Sequence, residues 1–251
     1  MVQRLRVRYA KRGRLRFTSH RDISRAIERA VRRAGIPVAF SAGFTPHPKI
    51  SYAGAAPTGV ASEAEYLEIG VVSACEPERL RAELDASLPP GLDVVDVVEA
   101  RSGGLADRLE CSVWQIRLPG ASPAEAEAAV ALFMAAGTVE VERLTKKGPR
   151  RFDARTAVVT LTAGGVPDGD PHHPCAILRM VVRHVTPAVR PDDVLTGLRL
   201  VAGFAPPSPP AVTRLAQGPL DARTGETADP LDLDRDVRGG EPGPAVHAGD
   251  H

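Results

Sequence analysis

Residues 4–37, RLRVRYAKRGRLRFTSHRDISRAIERAVRRAGIP, decide the reading of the fold. The first six alternate arginine with an apolar or aromatic residue, the period of a strand with one buried face. Leu5, Val7 and Tyr9 form that face; Arg4, Arg6 and Arg8 form the other. A turn follows at residues 11–13 and RLRF alternates again, so the segment reads as a β-hairpin or one bent strand. The period then changes. Ile23, Ala26, Ile27, Ala30, Val31 and Ala34 recur at helix spacing and make one apolar stripe. Ser19 can cap this helix, with Asp22 three residues on. Gly35 and Pro37 end it. Its opposite face carries Arg21, Arg25, Arg29 and Arg32, each about one turn from the next. Both arginine faces have two readings: a solvated surface, or a contact with nucleic acid.

Working outward, VAFSA reads as a short strand, then a loop, then KISYAG. EAEYLEIGVV (63–72) alternates as a strand. EPERLRAELDASL is a helix with Leu80, Leu84 and Leu88 on one side, and LDVVDVV is another strand. Residues 1–100 thus give strand, helix, strand, strand, helix, strand, the ferredoxin-like split βαβ order. ARSGGLADRLE (101–111) reads as a linker. Residues 112–204 begin similarly: SVWQIRL as strand, then a helix with Ser122 as cap and Pro123 in its first turn. TVEVERL and RFDARTAVVTLTA pair as a hairpin, CAILRMVVRHV is a strand and PDDVLTGLRLV a helix. The expected fold is α+β, with tandem ferredoxin-like units, the second irregular. Residues 205–251 are rich in Pro and Gly, with too little apolar content to offset their ordering entropy, and are expected to form a mostly disordered tail.

The chain has 251 residues and a net charge of +1, but the charge is unevenly spread. Residues 1–50 hold thirteen Lys or Arg against Asp22 and Glu28, a net +11, and the remainder is acidic. That asymmetry suits a polyanion partner, or an acidic surface in the fold or on another protein. No apolar run is long enough for a membrane span. The N-terminus lacks the apolar core of a secretory signal, so the expected location is cytoplasmic. Cys75, Cys111 and Cys175 are few, odd in number and far apart, as reduced thiols would be.

RLRVRYAKRGRLRFTSHRD, with GFTPHPKIS, GVASEAEYLEI and RLAQG (214–218), resembles a specific bacterial family. This is the radical-SAM-associated domain of uncharacterised function, found fused to the C-terminal side of B12-binding-type radical SAM proteins or as a separate chain. The resemblance covers about residues 3–215 and is to the stand-alone form. It implies a radical SAM protein as partner. It places the iron–sulfur cluster and SAM in that partner, with no cofactor in this chain, and it implies no settled activity.

Four groups of residues carry candidate chemistry. In the split βαβ order Arg16, His20, His47 and Lys49 approach one sheet edge and would line a pocket for phosphate or carboxylate, helped by free amides at the helix start. The alternative is that Pro46 and Pro48 only stiffen the loop and His47 bonds backbone. Arg6, Arg8, Arg21, Arg25, Arg29 and Arg32 would hold RNA phosphates, and Phe17, Phe40, Phe44 or Tyr52 would stack a base. Glu63, Glu65 and Glu68, around Tyr66, could do acid–base work, but ion pairing with the basic strands is the favoured reading. His172, His173 and Cys175 could bind zinc but lack a matching second cluster, and Asp168 and Asp170 suit turns. The leading expectation is an accessory subunit that binds or presents an anionic substrate, RNA included. A protein-docking scaffold comes second, and an independent enzyme acting on a small anion third.

Overall fold

The computed structural model describes residues 1–101, 103–146, 148–166 and 173–235. β1 (Gln3–Lys11) is followed by a 3-10 turn at Gly13–Phe17, α1 (His20–Arg33), β2 (Ile50–Ala53), β3 (Ala61–Val71), α2 (Pro77–Ser87) and β4 (Leu92–Glu99). Then come β5 (Cys111–Pro119), α3 (Pro123–Ala135), a separate hairpin of β6 (Glu140–Thr145) and β7 (Gly148–Asp153), β8 (Val158–Gly165), β9 (Cys175–Arg183), α4 (Pro191–Ala202) and β10 (Ala211–Gly218). The protein is thus a mixed α+β fold around one large sheet.

The sheet runs β4-β1-β3-β10-β5-β9-β8, and β2 also pairs with β3. In the first half, β4, β1, β3 and β2 are neighbours in that order and all antiparallel. In the second, β10, β5, β9 and β8 follow the same antiparallel order. The halves meet at the far edge of β3. β2 covers residues 66–69 of that edge, and β10 runs parallel to its start, Thr213 opposite Ala61 and Arg214 opposite Ser62.

Alternation fixes which side of each strand is buried. Leu5, Val7 and Tyr9 of β1 meet Ile23, Ile27, Ala30 and Val31 of α1 and Leu80 and Leu84 of α2. Trp114, Ile116 and Leu118 of β5 pack under Phe133 of α3 and Val194 and Leu198 of α4. The expected cap of α1 is present: Ser19 Oγ accepts from Asp22 N at 3.2 Å, and its hydroxyl donates to the Asp22 carboxylate at 2.7 Å. Ser19→Ala is expected to cost about 1 kcal/mol, the usual value of such a cap, read as a lowered urea midpoint.

The structure departs from the sequence expectations in five places. RLRF is a 3-10 turn rather than a strand, because Gly13 turns the chain with φ +55° and both edges of β1 are already taken by β3 and β4. VAFSA makes only isolated bridges. RFDARTAVVTLTA is broken into β7 and β8, since the Asp153 carboxylate accepts from Val139 N at 2.8 Å and Arg155 N at 2.9 Å and sets a turn. The largest departure is at the C-terminal end. Residues 211–218 are a central strand, and residues 229–235 pack on the first half, with Leu231 and Asp234 buried. Composition averaged over 205–251 hides the short alternating run VTRLAQG, and Asp234 is anchored by charge, which an apolar count misses. Residues 236–251 lie outside the described residues. Residues 101–111 are likewise no free linker: Leu105, Arg108 and Leu109 are buried.

Candidate anion-binding surface

The β1 arginines come first, because the sequence put two of them at an interface. Arg6 is 1% exposed. Its Nε donates to Glu68 at 2.9 Å and its Nη1 to Asp234 at 2.6 Å. Arg8 donates from Nε to the Glu63 carbonyl at 2.9 Å and lies 3.8 Å from Asp229. Arg6 is therefore closed to any outside ligand here, and Arg8 is largely spent within the fold. The reason is the cover supplied by residues 229–235 together with residues 103–109, whose Gly103 carbonyl also accepts from Arg6.

The α1 arginines are different. Arg21, Arg25, Arg29 and Arg32 are all exposed. Arg25 reaches Asp22 at 3.7 Å in an exposed pair of little energetic weight. Among the described residues Arg21, Arg29 and Arg32 have no ion pair. Along the series Arg21, Arg25, Arg29 and Arg32 neighbours stand roughly 4.5–6 Å apart along the axis, from about 1.5 Å of rise per residue. Arg14 adds charge in the preceding 3-10 turn, and the Arg16 guanidinium stacks on Phe17, 4.6 Å from the ring centre. Phe17 is 61% exposed, and Phe40 and Phe44 also face solvent.

The expected pocket of Arg16, His20, His47 and Lys49 is divided. His20 sits at the start of α1 with its ring edge-on to Tyr52, centroids 5.0 Å apart. Arg16 lies beside it in sequence, its carbonyl accepting from Gly59 N at 2.7 Å. Burial pushes the Tyr52 hydroxyl up to about 12. His47 and Lys49 are elsewhere. They line a cleft of about 400 Å³ with Arg4, Ser41, Ser51 and Glu68. Tyr52 and Ser51 are adjacent on β2, so they point to opposite faces, and the two pairs of residues follow them. The loop itself is pinned by Ser41: its N–H reaches the His47 carbonyl at 2.8 Å, and its hydroxyl accepts from His47 N at 3.0 Å. The prolines and Ser41 thus stiffen the loop, and the His47 side chain stays exposed.

The glutamates pair with arginines. Glu63 takes Arg12, and Glu68 takes Arg6 and, at 3.7 Å, Arg4. Glu65 pairs instead with Arg214 of β10, a partner the sequence reading missed; its trace was the RLAQG run. Around this pair lies a buried polar cluster at the seam of the two halves. Arg214 also donates to Ser62 Oγ and Gln217 Oε1, both at 3.3 Å, and stacks 5.6 Å from the Trp114 ring. Lys11 donates to the Ala56 and Pro57 carbonyls at 3.3 and 3.2 Å. Burial pulls the Lys11 ammonium below its ordinary range, Glu65 opposes that and Arg214 adds to it.

No group of three His, Cys, Asp or Glu able to hold a metal occurs among the described residues. His172, Asp168 and Asp170 lie outside them. No helix of the described residues is long and apolar enough to cross a membrane.

Residues 4–191 match a family described as "Uncharacterized protein conserved in bacteria (DUF2344)", and the chain belongs to that family. No curated protein matches the chain in sequence. Among solved structures, an unknown protein from Galdieria sulphuraria is 13% identical with a TM-score of 0.24, over 84% of this chain and 96% of that one. The encapsulated DyP-type peroxidase from Mycobacterium smegmatis is 11% identical with a TM-score of 0.20, over 86% and 91%. Overlays this loose transfer neither fold nor function.

Proposed function

We propose that this protein is a non-catalytic accessory subunit that binds RNA for a radical SAM partner in the cytoplasm. The observation that carries the RNA reading is the outer face of α1: arginines about one turn apart, exposed and almost free of acidic partners, with the exposed Phe17 in the turn that precedes the helix. Guanidinium groups bind phosphate well, and exposed rings stack bases of any sequence. The Phe17 ring is already stacked with a guanidinium, as an aromatic platform would be. The partner rests on the sequence resemblance, which places cluster and SAM in the other protein. We read the two halves, with their matching strand orders, as tandem split βαβ units.

Binding to bulk tRNA and to a short single-stranded RNA across a salt series tests this. Five neutralised phosphates on a single strand give a log–log slope of about −3.5. Arg25→Ala/Arg29→Ala is expected to weaken binding and make the slope about 1.4 shallower, two phosphates' worth. Absence of binding at low salt would sink the RNA reading, and capture of a partner protein by the same face would replace it.

A further inference from the structure

After β10 the chain turns back through residues 219–228, with Leu220 bridged to Thr227, and crosses the helix-free face of the first half. Here it lays carboxylates on guanidinium groups. Asp234 accepts from Arg6 and Arg108, each at 2.6 Å, and from Arg101 N at 3.0 Å. Asp229 lies 3.8 Å from Arg8 and 2.9 Å from Arg235. Burial would raise the Asp234 carboxyl, but the bonds from Arg108, Arg101 N and Arg6 hold it below its ordinary range. Between the carboxylates, Leu231 fills a notch with Tyr66, Val98, Leu105 and Leu109. The cover is thus a turn leading into a short 3-10 helix, Asp232–Asp234, that sets spaced anions on this face with an apolar group between them.

Stability alone does not call for such a cover. On the matching face of the second half, Arg117, Thr162 and Arg179 stand exposed. A structural cover made of apolar side chains would also avoid desolvating three charges. Guanidinium groups bind carboxylate and phosphate with the same fork geometry. Removing the segment outright would take Asp234 from Arg6, which keeps Glu68, and from Arg108, so its release is best made an exchange for another polyanion.

We infer that the sheet face of Arg6, Arg8 and Arg108 around Tyr66 is a second binding surface for single-stranded RNA, and that residues 229–235 occupy it as an internal competitor. This rests on the RNA reading of α1. The phosphates replace Asp229 and Asp234, and Tyr66 is uncovered for a base.

The test uses the full chain and hydrogen–deuterium exchange, with and without a 12-nucleotide oligouridylate. The expected result is protection gained on α1 and at least ten-fold faster exchange at residues 231–235. A second measurement uses Asp229→Asn/Asp232→Asn, which loosens the segment and leaves the buried Asp234 pairs in place. That variant is expected to bind the RNA about ten-fold tighter, with a steeper salt slope. If α1 is protected while 231–235 exchange unchanged and the variant binds as wild type does, the inference falls and the α1 reading stands. If neither protein binds the RNA, both fall.

Discussion

Glu65→Gln is expected to lower the stability of the protein by about 3–5 kcal/mol, the cost of leaving a buried charge without its partner. Glu65 is 3% exposed and faces two cations that are equally buried, Lys11 and Arg214. Its carboxylate also accepts from Ala56 N, at 3.1 and 3.3 Å to the two oxygens. Glutamine keeps the shape and the capacity to accept one bond, so the loss reports charge rather than packing. Lys11 then supplies a pH signature. Burial already holds its ammonium below the ordinary range, and only Glu65 opposes that. In the variant the folded-state value falls further, while the unfolded chain keeps about 10.4. Between those values the unfolded state binds more protons, so stability rises with pH. The deficit should therefore narrow from pH 7 towards pH 10. Above pH 10 the stability of both proteins falls with pH, because burial, and in the wild type also Glu65, holds the Tyr9 hydroxyl protonated in the fold. Urea melts of both proteins from pH 6 to 10 check this. A deficit that does not change with pH would show that Lys11 is not the group left uncompensated.

Phe133→Ala is expected to cost about 3–5 kcal/mol as a core cavity. Phe133 is fully buried where α3 crosses α4. The contact is so close that a Cβ on Gly197 would stand 2.7 Å from the Phe133 ring and 3.1 Å from Val139. Gly197→Ala alone should therefore destabilise, although alanine is the better helix residue. In the Phe133→Ala background the clash is gone and the new methyl enters the cavity. The double variant is expected to be more stable than the sum of the two single losses predicts. Additive losses in a double-mutant cycle would contradict the close approach.

How much was legible in the sequence depended on how far apart the partners lie. The change from period two to period 3.6 between Tyr9 and Ile23 located β1 and α1, and Ser19 and Ser122 marked helix starts, because these signals are local. The α1 arginines were legible for the same reason: once the apolar stripe is placed, the outer face follows. Arg6 and Arg8 were not. They alternate like a solvated strand face, and what covers them arrives more than two hundred residues later, in a stretch whose composition looks unstructured. His47 and Lys49 were read beside Arg16 and His20 because strand order alone does not say which side of β2 each residue takes. Glu63 and Glu68 were correctly given to nearby arginines, but Glu65 went to Arg214, across the seam.

The pairing of Arg6 with Asp234 also orders events during synthesis. The ribosome makes Arg6 among the first residues and Asp234 near the end. At 5–20 residues per second the interval is roughly 10–50 s. Throughout it the first strand carries a guanidinium destined for the interior with only one of its two carboxylates, Glu68, in place, and until residues 211–218 are made β3 lacks the neighbour that joins it to the second half. The nascent first half must wait with this surface wet. A stop codon anywhere before residue 229 would make that waiting state permanent.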